Sequence, residues 1–211
     1  MGNLIVSIIL CTAILGALVS YESKKSKRKS EERLSSFWEK ERKANTIRRK
    51  DISGLDYISI PFDSLPFVET DNYDVALCQK ELRALEGRKI LNLAGISNTD
   101  LKMEYGVANL SELTEYDENC TRMFRALANL GFHLSKNGYH KEAVAFLEFG
   151  IEAGTDISRN YLVLADEYIR LGQYDKVREL IAKAGKITTP MGPSILQKLT
   201  AKLPDQIPPT D

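Results

Sequence analysis

The sequence predicts an all-α protein, a short α-solenoid of helical hairpins preceded by an extended apolar strip, a basic neck and one transmembrane helix. Three observations predict this fold class. Residues 4–21 carry no charge, residues 74–89 space their apolar side chains as a helix does, and from residue 119 onward the pattern repeats with a period of 34. The 211 residues suffice for one domain with appendages.

These patterns divide the chain into six segments. They are an anchor at 1–21, a basic juxtamembrane neck at 22–50, an extended Pro-containing strip at 51–72, a degenerate helical unit at 73–118, two repeats at 119–190, and a cap helix with a disordered tail at 191–211.

The first segment has the length and composition of a membrane anchor. Leu4 to Tyr21 is an uncharged run of eighteen residues. As a helix with a rise of about 1.5 Å per residue it measures roughly 27 Å, close to the hydrocarbon thickness of a bilayer. A cleaved signal peptide is the alternative, but the run is long, no Lys or Arg precedes it, and no small-x-small cleavage pattern follows.

A basic collar follows the apolar run. Residues 22–50 carry 12 basic against five acidic side chains, whereas residues 51–211 carry 17 against 24. Positive charge is retained on the cytoplasmic side, so this collar predicts a single-pass membrane protein with a cytoplasmic C-terminal domain. The residues directly after the span are Lys24, Lys25, Lys27, Arg28 and Lys29.

The neck leaves two interpretations open. Leu34, Phe37 and Trp38 share one side of a possible helix. Such a helix lies on the lipid headgroups with Trp38 as an interfacial anchor, or it is a solvated spacer.

The strip after the neck is expected to be extended. Pro61 and Pro66 block a helix, yet most of the residues between 55 and 67 are apolar. We therefore expect the strip to pack along the helical body or to occupy a groove in it.

Next along the chain, side-chain oxygens mark helix starts. Asp71 or Asn72 is expected to cap a helix at 74–89, and residues 97–100 to cap a short helix that ends at Gly106. A further turn or two is expected at 109–116.

The period of 34 residues is the strongest signal. Its matching pairs are Leu130/Leu164, Gly131/Ala165, Leu134/Tyr168, Gly138/Gly172, Ala143/Val177, Leu147/Ile181 and Gly150/Ala184. The segments LGFHLSKNGYHKEAVAFLEFGIEAG and LADEYIRLGQYDKVRELIAKAGKITTP resemble the tetratricopeptide repeat over residues 122–190. The resemblance implies close-packed helical hairpins, with the small residues at the helix contacts, Pro190 ending the second copy, and a cap helix at 194–203.

The resemblance also implies a concave groove lined by the first helix of each hairpin. The groove-facing residues are then Arg125, Asn129, Phe132 and Lys136 in the first copy and Arg159, Leu162, Asp166 and Arg170 in the second. Arg and Lys side chains on this face suit a protein or peptide partner with acidic groups or a C-terminal carboxylate. An ordinary solvated face, or a groove filled by residues 55–67, is the alternative.

The function expected from these features is a non-catalytic, membrane-tethered adaptor. One alternative is a structural subunit of a membrane complex whose groove holds its own linker. Another is an enzyme with a site in 90–118, where Asn98, Asp100 and Glu104 cluster.

We expect no enzyme activity, cofactor, small-molecule substrate or nucleic-acid partner. No metal site is expected either, because Cys11, Cys78 and Cys120, and the two histidines, lack the spacing of metal ligands.

Overall fold

The computed structural model describes the backbone of residues 2–203 and the side chains of residues 15, 16 and 18–203. These residues form eight α-helices and one 3-10 helix, at Val107–Asn109, and contain no strand. The all-α fold class is therefore confirmed. The helices are α1 Gly2–Ala44, α2 Tyr73–Arg83, α3 Asn98–Tyr105, α4 Leu110–Lys136, α5 His140–Glu152, α6 Ser158–Arg170, α7 Tyr174–Ala184 and α8 Gly192–Thr200.

Helix α1 joins the expected anchor and neck in one uninterrupted helix of 43 residues. Most side chains of the expected anchor, residues 4–21, lie outside the described residues, as does the tail at 204–211. Over the residues that are described, no helix has both the length and the apolarity needed to cross a membrane.

The second half of α1 leaves its apolar side chains in contact with solvent. Leu34, Phe37 and Trp38 are each about half exposed, at 57%, 48% and 52%. The rings of Phe37 and Trp38 meet edge to face with centroids 5.3 Å apart. The chain here is helical, as both interpretations of the neck assumed.

The chain divides into two compact units, which are described separately. The first comprises Met1–Lys50 with Ser97–Leu110, and the second Asp51–Ile96 with Ser111–Asp211. In the first unit the end of α1 packs on α3. Glu41 accepts hydrogen bonds from Thr99 Oγ1 (2.7 Å) and from the Lys102 ammonium, and these bonds hold the pKa of Glu41 below its usual value.

A close backbone approach shapes the rest of this unit. Gly106 has φ +87°, and a Cβ there would lie 2.3 Å from the carbonyl oxygen of Arg48. Glycine is therefore required for both conformation and space. The Asn109 amide donates to the backbone oxygens of Lys50 (2.7 Å) and Tyr105 (2.8 Å), which ties the two segments together.

Two helix boundaries differ from the expectation. Helix α2 begins after Asn72, whose side chain accepts from Val75 N as predicted, but it ends at Arg83 rather than at 89. Residues 84–87 turn instead, which buries Leu85 in the core.

Helix α4 starts at Leu110 and runs for 27 residues, where a short turn and a separate later helix were expected. Nothing between 110 and 130 breaks it, because this stretch contains neither Gly nor Pro. Its buried side chains form a continuous helical stripe that includes Leu113, Cys120, Met123, Leu127, Leu130 and Leu134.

The positions 34 residues apart have similar burial in the second unit. Leu130 and Leu164 are both fully buried, as are Ala143 and Val177. Gly138 and Gly172 both have positive φ, +84° and +71°, at the turns that follow α4 and α6. The two copies thus place the same chemistry at equivalent points, although Leu130 belongs to a first core cluster and Leu164 to a second.

Two glycines permit neighbouring helices to approach closely. A Cβ at Gly131 on α4 would lie 2.4 Å from Leu147 Cγ on α5. A Cβ at Gly150 on α5 would lie 2.3 Å from Asn160 Nδ2 on α6. Both distances are far below van der Waals contact, so the packing of these helices depends on the missing side chains.

The strip at 51–72 packs along the helical body, as one of its two expectations stated. Ile60 is buried in the first core cluster, and Ile58, Phe62, Leu65 and Phe67 pack against it. The side-chain amide of Gln79 on α2 bonds to both the backbone N–H (2.8 Å) and the carbonyl (2.9 Å) of Val68. This satisfies an extended backbone that has no neighbouring strand.

The last helix falls close to its expected place. Helix α8 covers Gly192–Thr200, with Pro193 in its first turn, where 194–203 was expected. Helix α7 ends at Ala184, six residues before Pro190, which was expected to end the second copy. Ile195 and Leu199 bury α8 in the second core cluster.

Candidate partner-binding face

Helices α4 and α6 bring two of the expected groove residues into direct contact. Arg159, in the first turn of α6, donates a hydrogen bond to the amide oxygen of Asn129 on α4. The same guanidinium lies over the ring of Phe132, 5.0 Å from its centroid. Arg159 is therefore held in place by a hydrogen bond and an aromatic face together.

A second cation shares that ring. Lys136, one turn further along α4, has its ammonium 4.6 Å from the Phe132 centroid. Phe132 thus lies next to two positive charges, Lys136 and Arg159. We call the exposed strip formed by Arg125, Asn129, Phe132, Lys136 and Arg159 the cationic face.

A cavity of about 420 Å³ opens beside the cationic face. It is lined by Arg125, Ala128, Asn129, Asp156, Ile157, Ser158, Arg159 and Met191. Helix α6 begins at Ser158, no acidic residue occupies its first turn, and no side chain caps its first N–H groups. The positive end of the helix dipole therefore faces this cavity.

The polar groups in the cavity are arranged to receive an anion. Arg125 is exposed and makes no hydrogen bond or ion pair with the described residues. The Ser158 hydroxyl is buried and has no partner within the described part of the chain. A buried donor without a partner costs about 1–3 kcal/mol, which a bound acceptor would offset. Asp156 is the one acidic side chain in this lining.

The other three expected groove residues are engaged elsewhere. Asp166 forms an ion pair with Lys202, which follows α8. Arg170 pairs with Glu167 on its own helix, with Nη2 2.7 Å from Oε2. Leu162 packs against the second core cluster. None of the three lines the cavity beside Arg125.

Glu167 is the buried charge near this face. Its Oε1 accepts a hydrogen bond from Ser135 Oγ (2.6 Å) and lies 3.1 Å from His140 Nδ1, while its Oε2 accepts from the Arg170 guanidinium. Burial raises the pKa of Glu167, but the hydrogen bonds outweigh burial and the net pKa lies below the usual value. The group joins α4, α5 and α6, which is a structural role.

The strip does not line the cavity. Its apolar residues contact the first core cluster instead: Phe67 meets Phe146 edge to face at 5.2 Å, and the Arg83 guanidinium lies 4.0 Å from the Phe67 centroid. The face that carries Arg125 and Arg159 is therefore left open by the described part of the strip.

The residues of the alternative catalytic cluster have structural partners. Asp100 accepts hydrogen bonds from Ser97 Oγ (2.6 Å) and from the Lys40 ammonium, and these hold its pKa below the usual value. Ser97 in turn caps α3 by accepting from Asp100 N (3.2 Å). Among the described residues, no group of His, Cys, Asp and Glu side chains is arranged to hold a metal ion.

The two cysteines described are buried thiols. Burial raises the pKa of Cys78 to about 11 and that of Cys120 to about 12. Neither is poised to act as a thiolate near neutral pH.

Sequence reasoning missed the contribution of Ser158 and Met191 to the cavity. Ser158 carried a local signal, because Asp156 and Ser158 are typical of a helix start before an apolar run. Met191 carried none, since only packing brings the loop before α8 beside α4.

No protein-family model matches the chain, and comparisons with curated proteins and with solved structures find no match.

Proposed function

We propose that this chain is a membrane-tethered, non-catalytic adaptor that binds an acidic protein segment on the cationic face of a short, tetratricopeptide-like solenoid. The observation that carries the proposal is the juxtaposition of Arg125, Arg159 and the unpartnered Ser158 hydroxyl around one cavity at the start of α6.

The chemistry of the face favours a carboxylate-bearing partner. Arg159 is positioned by Asn129 and Phe132, so little side-chain entropy is lost when it binds. Arg125 is free to form a second charge-assisted hydrogen bond, and the helix terminus adds donors that favour an anion. A phosphate-free acidic peptide is the simplest group that uses all three.

The repeat supports the helical scaffold of the proposal. The two hairpins, α4–α5 and α6–α7, follow one another at a spacing of 34 residues and bury the same positions. An adaptor is favoured over a subunit closed by its own linker, because residues 55–67 pack on the first core cluster and not in the cavity.

The tether rests on the sequence. Residues 4–21 are uncharged, and the basic residues that follow them predict that the body faces the cytoplasm. The proposed location is therefore a membrane, with the C-terminal units on the cytoplasmic side.

One vesicle assay tests both parts of the proposal. The full chain is reconstituted in phosphatidylcholine vesicles with a fluorescent hexaglutamate peptide, and a hexaglutamine peptide serves as the uncharged probe. Arg125→Glu is compared with Arg122→Glu, which makes the same charge change on the same helix but lines neither cavity described here. The readouts are peptide and protein in the floated vesicles, before and after carbonate washing.

The expected result is that the wild-type chain carries hexaglutamate, and not hexaglutamine, into the floated fraction. Arg125→Glu weakens this binding about tenfold or more, because a charge-assisted bond is replaced by repulsion, while Arg122→Glu changes it little. Equal loss in the two variants would reduce the effect to net charge and remove the face. Release of the protein by carbonate would refute the anchor.

A further inference from the structure

A second and larger cavity lies in the unit that contains α4 to α8. Its volume is about 750 Å³, within the range of small-ligand sites, and it opens where α4, the α5–α6 loop and the end of α7 meet. The apolar part of its lining is formed by Ile58, Leu91, Phe124, Ile151 and Ile187. This part can hold a hydrophobic group of a ligand.

Charged groups of both signs line the same space without pairing. Lys183 and Lys186, at the end of α7, are exposed, and within the described chain neither forms a hydrogen bond or an ion pair. Asp56 and Asp156 also have no such partner among the described residues. Asp117 accepts one hydrogen bond, from the backbone N–H of Leu93 at 3.0 Å.

A buried hydroxyl in the lining has no partner either. Thr189 Oγ1 is shielded from solvent and makes no hydrogen bond to any described residue. The neighbouring Tyr161 hydroxyl, by contrast, donates to the Thr155 carbonyl at 3.0 Å. Leaving a buried hydroxyl unpaired is costly, so its persistence beside an open cavity indicates that something in the cavity bonds to it.

We propose that this cavity binds a small zwitterionic amphiphile. The ammonium of the ligand lies among the carboxylates of Asp56, Asp117 and Asp156, and its anionic group lies at Lys183 and Lys186. Its apolar body covers Phe124 and Ile151, and one of its polar atoms bonds to Thr189. Only a ligand with both charges answers both sets of unpaired groups.

Two sources carry this chemistry: an amino acid with a large apolar side chain, and a lipid with a phosphoethanolamine head. Neither is implied by the proposed adaptor function, which uses the cavity beside Arg125. The two cavities share Asp156 but differ in their cations and in their apolar lining.

Calorimetry on the full chain tests the proposal. The chain is held in phosphatidylglycerol nanodiscs, whose lipid has no ammonium group, and empty nanodiscs provide the blank. L-phenylalanine is compared with 3-phenylpropionate, which lacks the ammonium, and phenethylamine, which lacks the carboxylate. Dihexanoylphosphatidylethanolamine is compared with dihexanoylphosphatidic acid in the same way.

At least one zwitterion is expected to bind about tenfold or more tightly than its singly charged analogues, because each charge adds a charge-assisted bond. Tighter binding of phenylalanine identifies the amino-acid source, and tighter binding of the phosphatidylethanolamine identifies the lipid source. If neither zwitterion binds better than its singly charged analogues, the proposal is overturned.

Two variants locate the binding. Thr189→Val keeps the shape and removes the hydroxyl, so it should weaken the zwitterion without lowering the melting temperature of the unliganded chain. Lys183→Gln with Lys186→Gln should weaken it too, whereas Lys198→Gln on α8, outside both cavities described here, should not.

Unchanged affinity in the Thr189 and lysine variants would place the ligand elsewhere and overturn the assignment. Arg125→Glu separates the two proposals, because it removes hexaglutamate binding and leaves zwitterion binding intact.

Discussion

Replacing Gly131 by alanine tests whether the close approach of α4 and α5 holds the first hairpin together. The new Cβ would lie 2.4 Å from Leu147 Cγ and 2.5 Å from Leu147 Cδ2. Carbon atoms pack at about 3.5 Å or more, so Leu147 or the helix must move by about 1 Å. Leu147 is fully buried, so it has little room to do so.

The single variant is a weak test because two effects oppose each other. Overpacking costs about 1–3 kcal/mol, whereas alanine in place of glycine returns about 1 kcal/mol of helix propensity. A double-mutant cycle with Leu147→Ala cancels the propensity gain and isolates the clash. Leu147→Ala alone should cost about 2–5 kcal/mol, and clearly less when the alanine methyl at 131 occupies part of the vacated space.

The expected coupling free energy is about 1–3 kcal/mol in favour of the double variant. It is measured by urea unfolding of the full chain, followed by circular dichroism and compared at matched slopes. The control cycle pairs Gly131→Ala with Ile195→Ala on α8, a buried residue of the other core cluster, and should be additive. Additivity within about 0.5 kcal/mol in the Gly131–Leu147 cycle would refute the close approach.

Two further predictions use the same unfolding measurement. Glu167→Gln should destabilise the chain by about 2 kcal/mol near neutral pH, because Ser135, His140 and Arg170 lose a charged acceptor. Since the folded pKa of Glu167 lies below the model value of 4.5, this stabilisation is full above that value and disappears as the pH falls through the folded pKa, so a difference that persists in strong acid would contradict it. Phe67→Ala should cost about 2 kcal/mol by removing the half-buried ring from Phe146 and Arg83, whereas Asp63→Ala on an exposed part of the strip should cost little; equal effects would mean that the strip does not pack.

The features that could be predicted from the sequence are those set by local chemistry. Asn72 and Ser97 cap α2 and α3 as expected, because a side-chain oxygen next to a helical run satisfies free N–H groups wherever it occurs. The helix starts near 140, 158 and 174 follow from the 34-residue period and from glycines that alone accept positive φ at the turns.

The features that could not be predicted depend on tertiary packing. Helix α2 ends early although residues 84–86 are good helix formers, because Leu85 is buried by leaving the helix. Helix α4 is continuous because the core rewards its apolar stripe from Leu113 onward, which a search for repeat boundaries does not reveal.

Local chemistry also predicted only part of the candidate site. Arg125, Asn129 and Arg159 were predicted from their spacing along two helices, and they line one cavity. Asp166 and Arg170 have the same spacing, but Lys202 and Glu167 pair with them. A period along a helix gives the face of a residue but not the partners that another element brings to it.

These pairings decide the charge of the cationic face. An exposed ion pair contributes about 0–1 kcal/mol to stability, so the Asp166–Lys202 pair matters chiefly because it neutralises a carboxylate near Arg159. Residues 51–211 are acidic overall, with 24 acidic against 17 basic side chains, and would repel an acidic partner at long range. At physiological ionic strength, however, charges are screened beyond about 8 Å, so a partner at the face is governed by Arg125, Lys136 and Arg159 and not by the net charge of the body. An acidic segment is therefore expected to be recognised by contact once it arrives, and the discrimination between acidic and neutral segments must come from the cavity itself.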